Sequence, residues 1–377
     1  MLIRGSAVTP DGVIEDAIVE IRGERILQVR PAGRTRFVDA TADWILPGFV
    51  DMHVHGGGGK TFTTHDPKQA RAVAAFHARH GTTTMLASLV TAPEAVLRKA
   101  TEAYLPLIEE GTLAGVHYEG PYLSPARCGA QNPAHLRDPD LGELRRLLDI
   151  GGVAMVTIAP ELPGAIDAIR VLRHRGVIAA IGHTDATYEQ TVKAIEAGAT
   201  VATHLANAMR PLHHRDPGPI AALLNAPDVV CELIADGVHL HDGMLDLVIQ
   251  AAGPARVALV TDAIAAAGMR DGRYDLGGLA VTVKRRVARL TADGSLAGST
   301  LTMDAALRHV VHNGWGIADA AAMAATTPAR ALGLDDRGAI APGLRADLVL
   351  LDDQLRVVEV LRGGESVRKG PFYRVKR

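Results

Sequence analysis

Pro47-Gly48-Phe49-Val50-Asp51-Met52-His53-Val54-His55-Gly56 places two imidazoles at the end of the apolar run Ile45–Val54, just before the glycine loop Gly56–Gly59. Side chains on a strand alternate with period two, so His53 and His55 point the same way and can reach one ion. Five further apolar runs end alike. Glu119 follows Leu113–Tyr118, His183 follows Val177–Gly182, and His204 follows Ala199–Thr203. Asp236 with His239 follows Val229–Ala235, and Asp262 closes Arg256–Thr261. Imidazoles and carboxylates are the donors that a zinc- or iron-type cation takes. Parallel barrel strands deliver side chains to one rim only when each contributes from its C-terminal end. These endings predict an α/β protein built on a metal-dependent (β/α)8 TIM barrel, with the chemistry of a hydrolase.

Outward from that stretch the pattern repeats. Strands are expected at Thr83–Val90, Leu113–Glu119, Val153–Ala159, Val177–His183, Ala199–His204, Val229–Ala235 and Arg256–Asp262, which with the first makes eight. Helices alternate with them at Pro67–His80, Pro93–Glu110, Asp140–Leu148, Gly164–Arg175, Tyr188–Ala197, Gly218–Leu224 and Asp242–Ala252. Such alternation implies parallel strands and right-handed crossovers. Residues 1–45 read differently, as short strands with turns at Pro10-Asp11-Gly12 and Gly23-Glu24, the mark of antiparallel β structure. The tail from Gly338 returns to strands. A small β-sandwich domain is therefore expected from residues 1–45 plus 338–377, around a barrel at 46–337 that carries a β insert near 273–290.

Composition narrows the class. The 377 residues exceed the roughly 250 of a plain barrel, in keeping with an added domain. Hydrophobic residues make up 47% but aromatics only 3%, so the core must be Ala, Val, Leu and Ile. A formal net charge of -2 and a pI near 6.8 imply no nucleic-acid or membrane partner, and Lys284-Arg285-Arg286 reads as a solvated turn. The N-terminus has no signal-peptide core, and no run reaches the length of a membrane span. Cys128 and Cys231 stand far apart, which fits a reducing compartment and no disulfide framework. The expectation is a soluble cytoplasmic enzyme acting on a small molecule.

One carboxylate and two imidazoles, Glu119, His183 and His204, leave a coordination position for water, the pattern of a catalytic site. Asp262 is the natural acid/base: it can take a proton from an activated water and return it to a leaving amine. Its alternative is a helix N-cap. Arg215, in His214-Arg215-Asp216-Pro217-Gly218, can fork onto an anion beside a helix start. His77, His80, His174, His309 and His312 lie on helical stretches and read as surface or packing residues.

The first stretch, together with His117–Leu123, Gly182–Ala186, Thr203–Met209, Asp236–His239, Val260–Ala263 and Leu296–Met303, resembles the N-acetylglucosamine-6-phosphate deacetylase family of the amidohydrolase superfamily. The likeness runs nearly end to end. It implies hydrolysis of the N-acetyl group of N-acetyl-D-glucosamine 6-phosphate to D-glucosamine 6-phosphate and acetate. By the same resemblance Glu119, His183 and His204 hold the main ion and Asp262 is the acid/base. His53 and His55 imply a second ion, shared through Glu119 and Asp262. The cofactor is then a divalent metal, one or two per subunit, with zinc first and iron, cobalt or manganese as alternatives. Substrate contacts fall on Ala130, Gln131, Asn207, Ala208, Arg215, Asp236, His239 and Leu296-Ala297-Gly298, with Arg215 toward the phosphate. A homodimer is implied, in which Arg215 reaches a neighbour's site. One departure stands out. The family carries Lys-Gly-Ala-His or Lys-Gly-Thr-His where this chain has Arg127-Cys128-Gly129-Ala130-Gln131, and Gln cannot carry a proton. That leaves open another N-acetylhexosamine 6-phosphate as substrate. Cys128 reads as a packing residue or a loop thiol. Rival readings are a deaminase or a cyclic-amide hydrolase, but the latter needs a Lys that Val153–Ala159 lacks.

Overall fold

A computed structural model of the chain describes residues 1–35 and 37–367; residues 368–377 of the expected terminal domain lie outside the described residues. β1 (Leu2–Thr9), β2 (Gly12–Arg22) and β3 (Arg25–Pro31) form an antiparallel meander, and β4 (Ala40–Pro47) pairs parallel to β1. Next come β5 (Phe49–Asp51) and a small hairpin, β6 (Gly56–Gly57) with β7 (Lys60–Thr61). The barrel continues through β8 (Thr82–Val90), β9 (Gly115–Glu119), β10 (Val153–Ile158), β11 (Ile178–Ile181), β12 (Ala199–Ala202), β13 (Val230–Leu233) and β14 (Val257–Leu259). These eight lie in the order β14-β13-β12-β11-β10-β9-β8-β5, every neighbour parallel, as a (β/α)8 barrel requires. β15 (Gly272–Leu276), β16 (Leu279–Lys284) and β17 (Val287–Leu290) make the antiparallel insert. β18 (Leu348–Leu351), β19 (Val357–Arg362) and β20 (Glu365–Ser366) join the first four strands in one seven-stranded sheet.

Several helices start where their sequences supply side-chain caps. Asp66 accepts from Lys68 N–H ahead of Pro67–Ala78, Asp140 from Glu143 N–H ahead of Leu141–Asp149, and Thr187 with Gln190 forms a capping box before Tyr188–Ala197. Each then buries one apolar stripe, such as Leu144, Leu147 and Leu148, against the barrel. Among the described residues no helix is long and apolar enough to cross a membrane.

Three features depart from the sequence reading. The run Ile45–Val54, expected as one barrel strand, is divided. Ala40–Pro47 belongs to the terminal sheet, with Ile45 in that sheet's core and Leu46 facing the barrel core, and the barrel strand is Phe49–Asp51. Gly48 makes the crossing: a Cβ there would meet Thr83 Oγ1 at 2.3 Å, so only glycine passes so close to β8. Second, three strands, β11, β12 and β14, stop before their functional residues. His183, His204 and Asp262 have left-handed backbones, φ 47°, 28° and 47°. Such strain costs on the order of 1–3 kcal/mol per residue and persists only where the surroundings hold it. Here His204 N–H donates to Glu232 Oε2 at 3.1 Å and Asp262 N–H to His53 O at 2.8 Å.

Third, β5 and β14 are the ends of the hydrogen-bonded order, and side-chain bonds together with backbone bonds just past the strand ends close the seam between them. Asp51 accepts from Thr261 Oγ1 at 2.6 Å and Thr261 N–H at 3.2 Å, while His55 N–H donates to Ala263 O at 2.9 Å. Burial pushes the Asp51 carboxyl up to about 7, against the Thr261 hydrogen bonds that favour its ionised form. Thr261→Val keeps the shape and removes the strongest of these donors from a fully buried carboxyl. We expect a loss of about 1–3 kcal/mol in urea unfolding; an unchanged midpoint would mean that the seam does not depend on this bond.

Candidate metal centre and active site

The barrel's C-terminal rim brings five expected donors together from four places in the chain. Glu119, at the end of β9, is the hub. Its Oε1 lies 3.0 Å from both His183 Nε2 and His204 Nε2, and its Oε2 lies 3.2 Å from His55 Nε2. His53 Nε2 sits 3.4 Å from Oε1. Two donor groups result, His53/His55/Glu119 and Glu119/His183/His204, all buried and sharing the one carboxylate.

The ring orientations say what such a cluster needs. His183 Nδ1 donates to Arg127 O at 2.9 Å and His55 Nδ1 to Ser88 O at 3.1 Å. The Nε2 edges therefore face inward, 3.1 Å apart for His183 and His204 and 3.2 Å for His53 and His55. Lone pairs that close, in front of a carboxylate, repel unless positive charge lies between them. Electrostatics point the same way: burial opposes a charged imidazole at His55, yet the hydrogen bonds and charges of Asp262 and Glu119 raise it to about 9. Burial likewise opposes ionisation of Glu119, but His53, His183 and His204 hold its carboxyl well below the usual range. Donor chemistry and geometry fit divalent cations of the zinc type.

Asp262 stands at the edge of this cluster, its Oδ1 3.1 Å from His55 Nε2 and 3.6 Å from His53 Nε2. Burial pushes its carboxyl up, but the hydrogen bond from His55 and the two imidazole charges leave it below the ordinary value, so it is an anion at neutral pH. His117, two residues before Glu119 on the same face of β9, lies within hydrogen-bond reach of Ser88 Oγ at 2.9 Å and Thr157 Oγ1 at 2.8 Å and sits below the cluster.

Above the donors opens a cleft of about 410 Å³. His55, Glu119, His183, His204 and Asp262 form its floor, and Ala130, Gln131, Asn207, Ala208, His239, Leu296 and Gly298 line its walls. A larger hollow of 560 Å³ lies between two outer helices and contains none of these donors. Asp236 does not line the cleft; it accepts from His239 Nδ1 at 2.8 Å and so aims that ring. Gln131, expected to touch substrate, is committed at both ends: Thr91 N–H donates to its Oε1 at 2.8 Å, and its Nε2 donates to Glu119 Oε2. Ala297 turns into the apolar cluster under the insert and away from the cleft. Arg215 is not brought to its own chain's cleft. It is exposed and bonds His214 Nε2 at 2.7 Å.

Residues 44–368 match the amidohydrolase family. The chain belongs to that family. It is 33% identical to the N-acetylglucosamine-6-phosphate deacetylase of Lysinibacillus sphaericus, covering 97% of each chain. It is 37% identical to the N-acetylgalactosamine-6-phosphate deacetylase of Escherichia coli O157:H7, covering 95% of this chain and 96% of that one. Among solved structures it resembles the N-acetyl-D-glucosamine-6-phosphate deacetylase of Mycobacterium smegmatis in complex with N-acetyl-D-glucosamine-6-phosphate. The TM-score is 0.95 at 44% identity, covering 97% of this chain and 99% of that one.

Sequence reasoning missed several residues of this amidohydrolase's site. Arg127 lines the cleft, pairs with Asp185 at 2.8 Å, and fixes His183 through its carbonyl. Leu276, at the tip of the insert, and Ser295 complete the walls. Glu232, fully buried on β13, accepts from His53 Nδ1 at 3.0 Å. Its signal was present in the sequence: it is the lone charge inside the apolar run Val229–Ala235.

Proposed function

We propose that this amidohydrolase hydrolyses the N-acetyl group of N-acetyl-D-glucosamine 6-phosphate, releasing acetate and D-glucosamine 6-phosphate. One observation carries the chemistry: a single carboxylate, Glu119, serves two imidazole pairs, with Asp262 3.1 Å from His55 at the floor of an open cleft. Glu119, His183 and His204 hold one divalent ion, and His53, His55 and Glu119, with Asp262 at its edge, hold a second. Zinc is the first choice for this donor set, ahead of iron, cobalt or manganese. When bound, such cations polarise the acetyl carbonyl and acidify the attacking water. Asp262 takes that water's proton and returns it to the sugar nitrogen as the C–N bond breaks, so the amine leaves neutral. His239, aimed by Asp236, keeps its Nε2 for the substrate, and Ala130, Asn207, Ala208 and the Leu296–Gly298 loop shape the sugar's berth.

The phosphate needs a cation, and Arg215 lies outside its own chain's cleft. An exposed Arg ahead of a helix start suits a homodimer in which each copy's Arg215 reaches the other's substrate, in a cytoplasmic enzyme. The deciding experiment is acetate release over N-acetylglucosamine, N-acetylgalactosamine and N-acetylmannosamine, each with and without the 6-phosphate. We expect a preference for the phosphorylated sugars of at least ~10²-fold in kcat/KM, erased by Arg215→Ala with little harm to the neutral sugars. No preference in the wild type would end the sugar-phosphate assignment, and equal damage to both sugar classes would make Arg215 structural. N-acetylglucosamine 6-phosphate leads over N-acetylgalactosamine 6-phosphate because two of the three relatives named above are named as its deacetylases. Gln131, tied to Glu119 and Thr91, gives the sugar no charged contact by which to choose.

A further inference from the structure

Glu232 is a fully buried acid beside the donors that the proposed chemistry does not use. It is fully enclosed at mid-strand in β13, and its Oε2 receives two donors, His53 Nδ1 at 3.0 Å and the backbone N–H of His204 at 3.1 Å. Its Oε1 meets no partner among the described residues. A buried carboxylate with one oxygen unanswered is costly unless positive charge lies near. The two donors belong to different halves of the centre, His53 to one triad and His204 to the other, so a single oxygen braces both.

The contact to His53 is the more consequential. His55 and His183 present Nε2 inward because backbone carbonyls, Ser88 O and Arg127 O, hold their Nδ1–H. His53 has no such carbonyl; a full carboxylate takes the proton. A carboxylate behind an imidazole fixes the tautomer and makes the opposite nitrogen a stronger donor. Charge points the same way. Two divalent ions bring four positive charges to a buried donor cluster, and Glu119 and Asp262 offset two. Glu232 supplies a third negative charge next to the ligand on which the second ion depends.

We infer that Glu232 is the positioning residue that makes the centre binuclear: it holds His53 as the Nδ1–H tautomer and supplies the anion that lets the His53/His55 half keep its ion. The inference rests on the metal-centre reading above, and the other half of the centre is its internal control.

The test is zinc stoichiometry and stepwise zinc affinity, measured by competition with a chromophoric chelator on the metal-stripped full chain. Wild type should hold two zinc ions. Glu232→Gln, nearly identical in shape but neutral, should weaken the second ion about 10–100-fold and leave the Glu119/His183/His204 ion within a few-fold. Two ions bound with wild-type affinities in Glu232→Gln would overturn the inference. So would equal weakening of both ions, which is the signature of a packing residue. A wild type with a single zinc overturns it as well, whereas a wild type that binds none sinks the metal-centre reading itself. Should the variant fail to fold, the wild type still decides. Histidine-selective 15N spectra of the zinc-loaded protein should show His53 protonated at Nδ1, and a proton on Nε2 would overturn the assignment.

Discussion

Asp262→Asn should keep its metal and its fold and lose about 10²–10⁴-fold in kcat, the range that a positioned proton acceptor contributes. The substitution is nearly isosteric, and the backbone bonds that hold residue 262 in its left-handed turn, to His53 O at 2.8 Å and from Ser299 N–H at 2.7 Å, do not involve the side chain. What changes is the ability to take a proton. An amide cannot accept one from water, so the attack loses its base and the departing amine its acid. KM should move little, because the step affected is the reaction and not capture of the sugar. Metal analysis beside steady-state kinetics decides the matter. More than about a tenth of wild-type kcat would remove Asp262 from the acid/base role, and loss of metal from the variant would make it chiefly a ligand.

The second large effect is expected from Glu119→Ala. Both oxygens of this carboxylate are in use, Oε1 at 3.0 Å from His183 and His204 and Oε2 at 3.2 Å from His55. Truncation removes the one negative ligand common to both triads and leaves four imidazoles facing each other. Both ions should go. Activity should fall by on the order of 10³-fold or more, since a metal's stabilisation of the reacting oxygens is worth several kcal/mol and each 1.4 kcal/mol is a factor of ten. Elemental analysis after dialysis tests this without reference to turnover. Full occupancy in Glu119→Ala would mean that the ligand set is drawn around the wrong carboxylate.

The barrel and its donors were legible because each rests on local information. A short apolar run, the glycine loop after His55, and the helical stretches between the runs are properties of a few adjacent residues. Element order alone then forces parallel strands, and parallel strands force His53, Glu119, His183, His204 and Asp262 toward one rim. Donor type sets the metal class for the same reason: an imidazole or a carboxylate has its chemistry wherever the chain puts it.

The tertiary structure decided everything that depends on a partner distant in sequence. Glu232 is an unremarked acid in an apolar run until His53, 179 residues earlier, comes within 3.0 Å of it. Gln131 offers a free amide in the sequence, and in the fold Thr91 N–H takes its Oε1 and Glu119 one of its two N–H groups. Arg215 reads as the phosphate's cation, but in the fold it is exposed, bonded to His214, and not among the residues that line its own chain's cleft. The strands were drawn too long because nothing local announces that His183, His204 and Asp262 turn left-handed; there they bond to residues distant in sequence, Ser124, Glu232 and His53. Hydrogen bonding and ion pairing fall off within a few ångströms, so their energies belong to neighbours in space. Periodicity and donor chemistry can be read along the chain, but which polar groups satisfy one another is settled only when the barrel closes and removes the water that would otherwise have satisfied them all.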